Sequence, residues 1–387
     1  MGEGIRVKGH GSSMRHRFHS ICPYFAMFPE TFVEKHLAAS RFNGVVFDPF
    51  CGRGTTVFEA LLNGREAAGC DIHPVAVCIT GAKCNPPGRD EVLARINELE
   101  ASLSVLPSPL LSDEMAEFFA ACFHADTYEE VRFLRANLDW RNDRTDRFIA
   151  ALCLGALHGE SHRSSNYFSN RMPRTISTKP AYSVRWWNEH GYVAPRRFVF
   201  AILRNMVDFR FRTTPPASRG DVVETDARKA NAAFPYLGGK VTDIITSPPY
   251  IDTTNYREDQ WLRLWFLGEE PKSIQVRDDG RHYNSKLYWN FLKEAWEGVA
   301  PLLAPQARIV VRIGGRKLSK EEMFARLLAS LEEATGRIVK PADDGMTTPV
   351  KRTQANSFRG AKASPTVEHD FCFLVINSEH RSVHTIK

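Results

Sequence analysis

The stretch from Val45 to Asp71 constrains the fold of this chain more than any other. Val45-Val46-Phe47-Asp48 is an apolar run closed by a carboxylate, which reads as a short buried strand. Pro49-Phe50-Cys51-Gly52-Arg53-Gly54-Thr55-Thr56 follows. Its two glycines permit positive φ and let the backbone approach a ligand closely, and its threonines are suited to capping the next helix. Val57-Phe58-Glu59-Ala60-Leu61-Leu62 then reads as that helix, and Ala68-Gly69-Cys70-Asp71 as a second strand. Strand, glycine loop, helix, strand is the start of a parallel α/β sheet. An acidic residue at the tip of the second strand is where such sheets hold ribose hydroxyls.

A second motif lies about two hundred residues on. Val241-Thr242-Asp243-Ile244-Ile245 reads as another buried strand, and it runs into Thr246-Ser247-Pro248-Pro249-Tyr250. Two prolines stop a strand because they lack N–H donors and fix φ near −65°. The loop they stiffen offers a hydroxyl, rigid carbonyls and an aromatic face, which together suit a planar ring bearing an amine.

Together the two motifs resemble the S-adenosylmethionine-dependent DNA methyltransferases that act on N4 of cytosine or N6 of adenine. Three more segments are similar to that family: His19 to Glu30 before the glycine loop, Asp221 to Ala227, and Gln260 to Gly268. The resemblance covers most of 15–85 and 150–315, plus Glu368-His369-Asp370-Phe371. It implies a Rossmann-like, seven-stranded, mainly parallel α/β sheet with a long helical and basic insertion between strands 2 and 3. Residues 15–88 and 216–387 would form the cofactor-binding catalytic domain, and 89–215 the inserted target-recognition region.

The resemblance also implies roles. Asp48, Pro49, Phe50, Gly52, Gly54, Thr55 and Thr56 would surround S-adenosylmethionine, with Asp71 on its ribose and Asp226 at its adenine. Ser247, Pro248, Pro249 and Tyr250 would hold the target base. Tyr24 and Phe28 are candidate walls of the cofactor pocket, and Asn255, Tyr256 and Trp261 of the base pocket; plain core packing is the competing reading for the aromatic ones. No metal is expected, since the spacing of Cys70, His73, Cys78 and Cys84 matches no zinc pattern.

The insertion carries the charge. From Arg163 to Arg212 there are ten Lys and Arg against two acidic residues, whereas the whole chain nets +6. Tyr167, Phe168, Tyr182, Trp186, Trp187 and Tyr192 interleave with it. Basic side chains supply phosphate contacts, and Asn and Arg also read base edges. Arg163, Asn166, Arg171, Arg174, Lys179 and Arg185 are therefore candidate DNA contacts, with double-stranded DNA as partner. A cognate restriction enzyme is a further partner the resemblance allows, and a monomer or weak dimer is expected.

An exocyclic amine is a poor nucleophile because its lone pair is delocalised into the ring. Acceptors for its hydrogens, such as the Ser247 hydroxyl and the Pro248 carbonyl, localise that pair, and Tyr250 can stack on a base flipped from the duplex. Methylation at C5 of cytosine would need a Pro-Cys nucleophile loop, and no Pro-Cys dipeptide occurs. Within the resembling family, Ser before Pro-Pro-Tyr goes more often with N4-cytosine and Asp with N6-adenine, so cytosine is favoured. RNA or a protein amide as substrate, or a nucleic-acid-binding protein with a vestigial cofactor fold, are the competing readings. Met1 to Lys8 has no apolar core of a secretory signal and no apolar run reaches membrane-spanning length, so a cytoplasmic, membrane-free protein is expected.

Overall fold

The computed structural model describes residues 15–24, 28–172, 179–250, 260–271, 284–314, 318–343, 345–349 and 367–378. Its centre is a sheet of β1 (Val45–Asp48), β2 (Ala67–Asp71), β3 (Asp221–Glu224), β4 (Val241–Thr246), β5 (Leu303–Gly314), β6 (Ile338–Pro341), β7 (Met346–Pro349) and β8 (Val367–Ile376). The spatial order is β3-β2-β1-β4-β5-β8-β6, with β7 pairing only with β8. The first five strands are parallel, and β8 runs antiparallel to β5, β6 and β7. The expected seven strands are the main path. The eighth, β7, is four residues long and too short to show a period in the sequence.

Alternation along the strands divides the core in two. Val46, Ile245, Val310 and Cys372 face one apolar cluster, while Val45, Phe47, Ile244, Val311 and Phe373 face the other. The second cluster is covered by the helices Ser285–Val299 and Lys320–Thr335. The first is covered by α1 (Glu30–Ala38), α2 (Thr55–Leu62) and α3 (Pro74–Cys84). Every residue of α3 is buried, because a further layer of helices lies outside it.

That layer is the segment between β2 and β3: α4 (Arg89–Ala101), α5 (Asp113–Cys122), α6 (Ala125–Asn137), α7 (Arg144–Ala156), α8 (Pro180–Glu189) and α9 (Val199–Arg210). Its apolar residues, from Val92 and Phe118 through Phe148 to Trp187 and Leu203, join the same cluster as Val46 and Ile245. The inserted helices thus share one continuous core with a face of the sheet. Among the described residues no helix is long and apolar enough to cross a membrane, and all eight cysteines are buried and unpaired.

Close backbone contact ties the insertion to the N-terminal segment. A Cβ on Gly155 of α7 would sit 2.2 Å from the Ile21 carbonyl oxygen. Gly155→Ala should therefore cost about 1–3 kcal/mol of stability through overpacking. Urea unfolding measures this, and an unchanged midpoint would show that the contact is soft.

Candidate functional site

The sheet reverses its direction of winding between β1 and β4, since β2 and β3 lie to one side and β5 to the other. Ligands of open α/β sheets bind at such a switch point, beyond the carboxyl ends of the strands. Asp48 ends β1 and Thr246 ends β4, and both are fully buried. The Thr246 hydroxyl donates to Asp48 Oδ1 at 2.6 Å, and the Phe50 N–H donates to the same oxygen at 3.1 Å. Asp48 Oδ2 has no partner among the described residues. Burial pushes this carboxyl up to about 7, against the opposing pull of its hydrogen bonds from Thr246 and Phe50.

The glycine loop wraps the end of β1. Gly52 and Gly54 both have positive φ, at 50° and 72°. The Gly52 N–H donates to Asp71 Oδ2 at 2.9 Å, and the His73 N–H donates to Asp71 Oδ1 at 2.9 Å. Asp71 thereby braces the loop while keeping lone pairs for a ligand hydroxyl, and burial pushes its carboxyl up to about 6. A Cβ on Gly54 would lie 2.3 Å from Thr80 Cγ2, so only glycine fits there. Tyr24 approaches the Cβ position of Gly52 to 3.7 Å, and Tyr24 and Phe28 both pack, half-buried, on the first core cluster. Pro49 is buried and Phe50 half-buried, with its ring 5.9 Å from that of Phe291.

The threonines act differently from the capping expected of them. Gly54 itself occupies the N-cap of α2 without a side-chain cap. Thr55 instead accepts from Arg53 Nε at 3.3 Å, and Thr56 donates to the Ile245 carbonyl at 2.8 Å. Thr56 thus fastens the first motif to the strand that delivers the second. At the end of β3, Asp226 caps the short helical turn Ala227–Lys229. Its carboxylate is gripped by the Arg228 fork at 3.0 and 2.7 Å, and Arg228 also reaches Glu294. Asp226 therefore sits at the expected edge of the sheet, but with its carboxylate engaged by a neighbouring cation.

Beyond Thr246, Ser247 and Tyr250 lie half-buried on either side of Pro248 and Pro249. The Ser247 hydroxyl donates to the Tyr250 phenol oxygen at 3.3 Å, which in turn donates to Glu368 Oε1 at 2.9 Å. Glu368 Oε2 lies 3.5 Å from Arg312, whose fork grips Asp370 at 2.6 and 2.8 Å. A Cβ on Gly314 would lie 3.0 Å from Tyr250 Cε2, so this glycine makes room for the ring. Thr246, Gly314, Arg312 and Glu368 carry no role in the sequence reading. The signal for the last was Glu368-His369-Asp370, which places two acids on one face of a strand. Asn255 and Tyr256 lie outside the described residues. Trp261 is buried, its ring centre 4.9 Å from that of Phe118, and belongs to the core.

Much of the insertion's positive charge is spent internally. Arg196 pairs with Glu130, Arg204 with Glu100, and Arg210 donates to the Ser20 carbonyl. Of the candidate DNA contacts, Arg163, Asn166, Lys179 and Arg185 are exposed and Arg171 is half-buried, while Arg174 lies outside the described residues. Arg163 pairs with Glu160 at 3.2 Å and Arg185 with Glu189 at 3.8 Å. Arg171 lies over the Tyr192 ring at 4.8 Å. These two line a cleft of about 250 Å³ together with His162, Asn170, Val193 and Arg197. The insertion also abuts the segment after the Pro-Pro-Tyr loop, where Arg263 donates to the Leu154 carbonyl and Trp140 to that of Leu267.

Part of the chain is similar in sequence to known proteins. A DNA methylase family (N6_N4_Mtase) matches residues 7–80, the segment holding β1, the glycine loop and Asp71. The similarity to that family is confined to this segment. It is 36% identical over 58 residues to the Type II methyltransferase M.MvaI of Kocuria varians, a match that spans 15% of this chain and 13% of the relative. Two solved structures overlap nearly the whole chain at 12% identity. The rRNA methyltransferase aviRa of Streptomyces viridochromogenes has a TM-score of 0.32, with 93% of this chain and 94% of that one covered. A 16S rRNA adenine-N(1)-methyltransferase of Catenulisporales acidiphilia, solved with cosubstrate SAM, has a TM-score of 0.33 over 91% and 94%.

The family's methyl donor is S-adenosylmethionine, and the residues here fit it. Gly52, half-buried with positive φ, leaves backbone open to a ligand, Asp71 can accept from ribose, and the Asp48 oxygen with no partner among the described residues suits a cationic group. The Asp48 carboxyl also makes a prediction about stability. Its pKa is raised on folding from 3.8 to about 7, so the stability it confers is full below pH 4 and is lost as pH rises through 7. Asp48→Asn never ionises, and should cancel about 2 kcal/mol or more of that loss between pH 4 and pH 8. Urea midpoints at the two pH values test this; equal pH slopes for parent and variant would contradict it.

Proposed function

We propose that this chain moves a methyl group from S-adenosylmethionine to the exocyclic amine of a base flipped out of double-stranded DNA, with N4 of cytosine as the favoured position. The hydrogen bond from Thr246 to Asp48 carries this reading. It joins the glycine loop and the Pro-Pro-Tyr loop at the switch point, so a ligand on one faces a ligand on the other.

Bound at the glycine loop, S-adenosylmethionine supplies an electrophilic methyl group on a sulfonium. Asp71 would accept from its ribose and Asp48 would face its positive end. Pro49, Phe50, Gly52, Gly54, Thr55 and Thr56 shape the cradle, with Asp226 near its rim. Ser247 and the Pro248 carbonyl would accept the amine hydrogens, Pro249 keeps the loop stiff, and Tyr250 offers its ring to the extruded base. Rigid positioning of both partners is the main source of acceleration in such a displacement. The exposed Arg163, Asn166, Lys179 and Arg185, with Arg171 in the cleft, would meet the duplex.

In this reading residues 15–88 and 216–387 perform the chemistry and 89–215 contact the target. The chain would act on DNA as a monomer or weak dimer, and a restriction enzyme cutting the same unmodified site would be its natural counterpart. Ser247 in place of a carboxylate supports cytosine, because a hydroxyl asks less of the amine geometry than a charged acceptor does.

Incubation with labelled S-adenosylmethionine and unmethylated duplex DNA, tRNA or protein tests the substrate class. Nucleoside analysis of the DNA should show N4-methylcytosine; N6-methyladenine would move the target to adenine, and no transfer to DNA would defeat the proposal. Tyr250→Ala should lower kcat by about 100-fold with cofactor affinity within about twofold. Asp71→Ala should instead weaken cofactor binding about tenfold, the worth of one lost hydrogen bond. The reverse pattern, read by calorimetry and single-turnover rates, would exchange the two assigned roles.

A further inference from the structure

Glu368 stands 118 positions from Tyr250 in sequence, yet its carboxylate accepts the phenol hydrogen at 2.9 Å. It reaches the loop because β8 lies beside β5, with Glu368 opposite Gly314 and Asp370 opposite Arg312. The missing side chain at Gly314 leaves the gap that the Tyr250 ring fills. Arg312 is buried, is gripped by Asp370, and lies 3.5 Å from Glu368. Burial raises the Glu368 carboxyl above its ordinary value, and the Arg312 cation beside it pulls back towards the ionised form that the ion pair requires.

An ionised carboxylate can only accept. The bond between Tyr250 and Glu368 therefore runs one way, from phenol to carboxylate. With its hydrogen committed, the Tyr250 oxygen offers only lone pairs to Ser247, and the Ser247 hydroxyl points its single hydrogen there, at 3.3 Å. What remains of Ser247 is a pair of lone pairs with no hydrogen to give. We infer that Glu368 is a positioning residue, which acts through Tyr250 to hold the Ser247 hydroxyl as a pure acceptor for the amine of the target base.

The inference rests on the proposed function and refines it. A freely rotating hydroxyl can donate as well as accept. Donation to the amine nitrogen would tie up the lone pair that must attack the methyl group. Acceptance of an amine hydrogen does the opposite and leaves that pair on nitrogen. The serine's usefulness thus depends on a charge two hydrogen bonds away, and a neutral group at 368 would let the chain run in either direction.

Glu368→Gln keeps the size of the side chain and can donate to Tyr250 through its amide. It should lower kcat about tenfold, the equivalent of one hydrogen bond, with KM for DNA within about twofold. Base extrusion, read from 2-aminopurine fluorescence at the target position, should be unchanged. Tyr250→Phe retains the ring but cuts the chain, and should show a similar fall in kcat. In the Tyr250→Phe background Glu368→Gln should add nothing, because no phenol remains to be oriented; a merely structural role for Glu368 would still add its full cost. A full-speed Glu368→Gln, an undiminished loss in the double variant, or a loss confined to base extrusion would each overturn the inference. A parent chain inert on DNA would defeat the proposed function and this inference with it, whereas an active parent with an indifferent Glu368→Gln defeats the relay alone.

Discussion

The hydrogen bond between Thr246 and Asp48 is the interaction on which the rest of the site depends. The two residues are 198 positions apart and end adjacent parallel strands. Both are buried, so each needs the other: an unpaired hydroxyl or carboxyl oxygen at that depth is costly. Threonine serves twice here, because its β-branched side chain suits a strand and its hydroxyl reaches across to the neighbouring one. The Thr56 bond to the Ile245 carbonyl repeats the connection from the helix side. The two loops are therefore fixed relative to each other by the sheet and do not depend on a ligand to bring them together.

A second layer of buried polar groups lies behind the glycine loop. His19 contacts Glu59 at 2.5 Å, and Arg53 and His19 both approach Glu30. Burial pushes His19 well below its usual range, Glu59 up to about 8 and Lys83 down to about 7. Burial thus opposes charge on both His19 and Glu59, which favours a hydrogen bond over an ion pair at their contact. This suits a helix, α2, that is buried along nearly its whole length against the sheet, α1 and α3.

What could be read from the sequence divides along a physical line. Periodicity and punctuation located β1, β2, β4 and the glycine loop, because those signals are local, while the seven-stranded sheet and its insertion came from the resemblance. The glycines at 52 and 54 announced their positive φ, and the position of Asp71 followed from its place at the end of a strand. Partner identity was not legible. Nothing local tells that Thr56 will serve a neighbouring strand instead of its own helix, or that Trp261 will pack against Phe118. The density of arginine in 163–212 was visible, but not that Glu130, Glu100 and the Ser20 carbonyl would absorb three of those side chains. The segment holding Glu368 was visible, but not its partners Gly314 and Tyr250, which only the sheet brings alongside it.

The shared core beneath the insertion has a consequence for how such a chain can diversify. Helices α4 to α9 and one face of the sheet close a single apolar volume, so no boundary exists at which the inserted segment could be exchanged as an interchangeable cassette. Removing it would bare α3 from end to end, and grafting a foreign version would demand a matching set of core residues. Variation is cheap only where side chains leave that volume, around Arg163, Asn166 and the cleft beside Tyr192. Lineages built on this plan would drift in the loops and stay fixed in the helices, changing what they meet on the surface one side chain at a time.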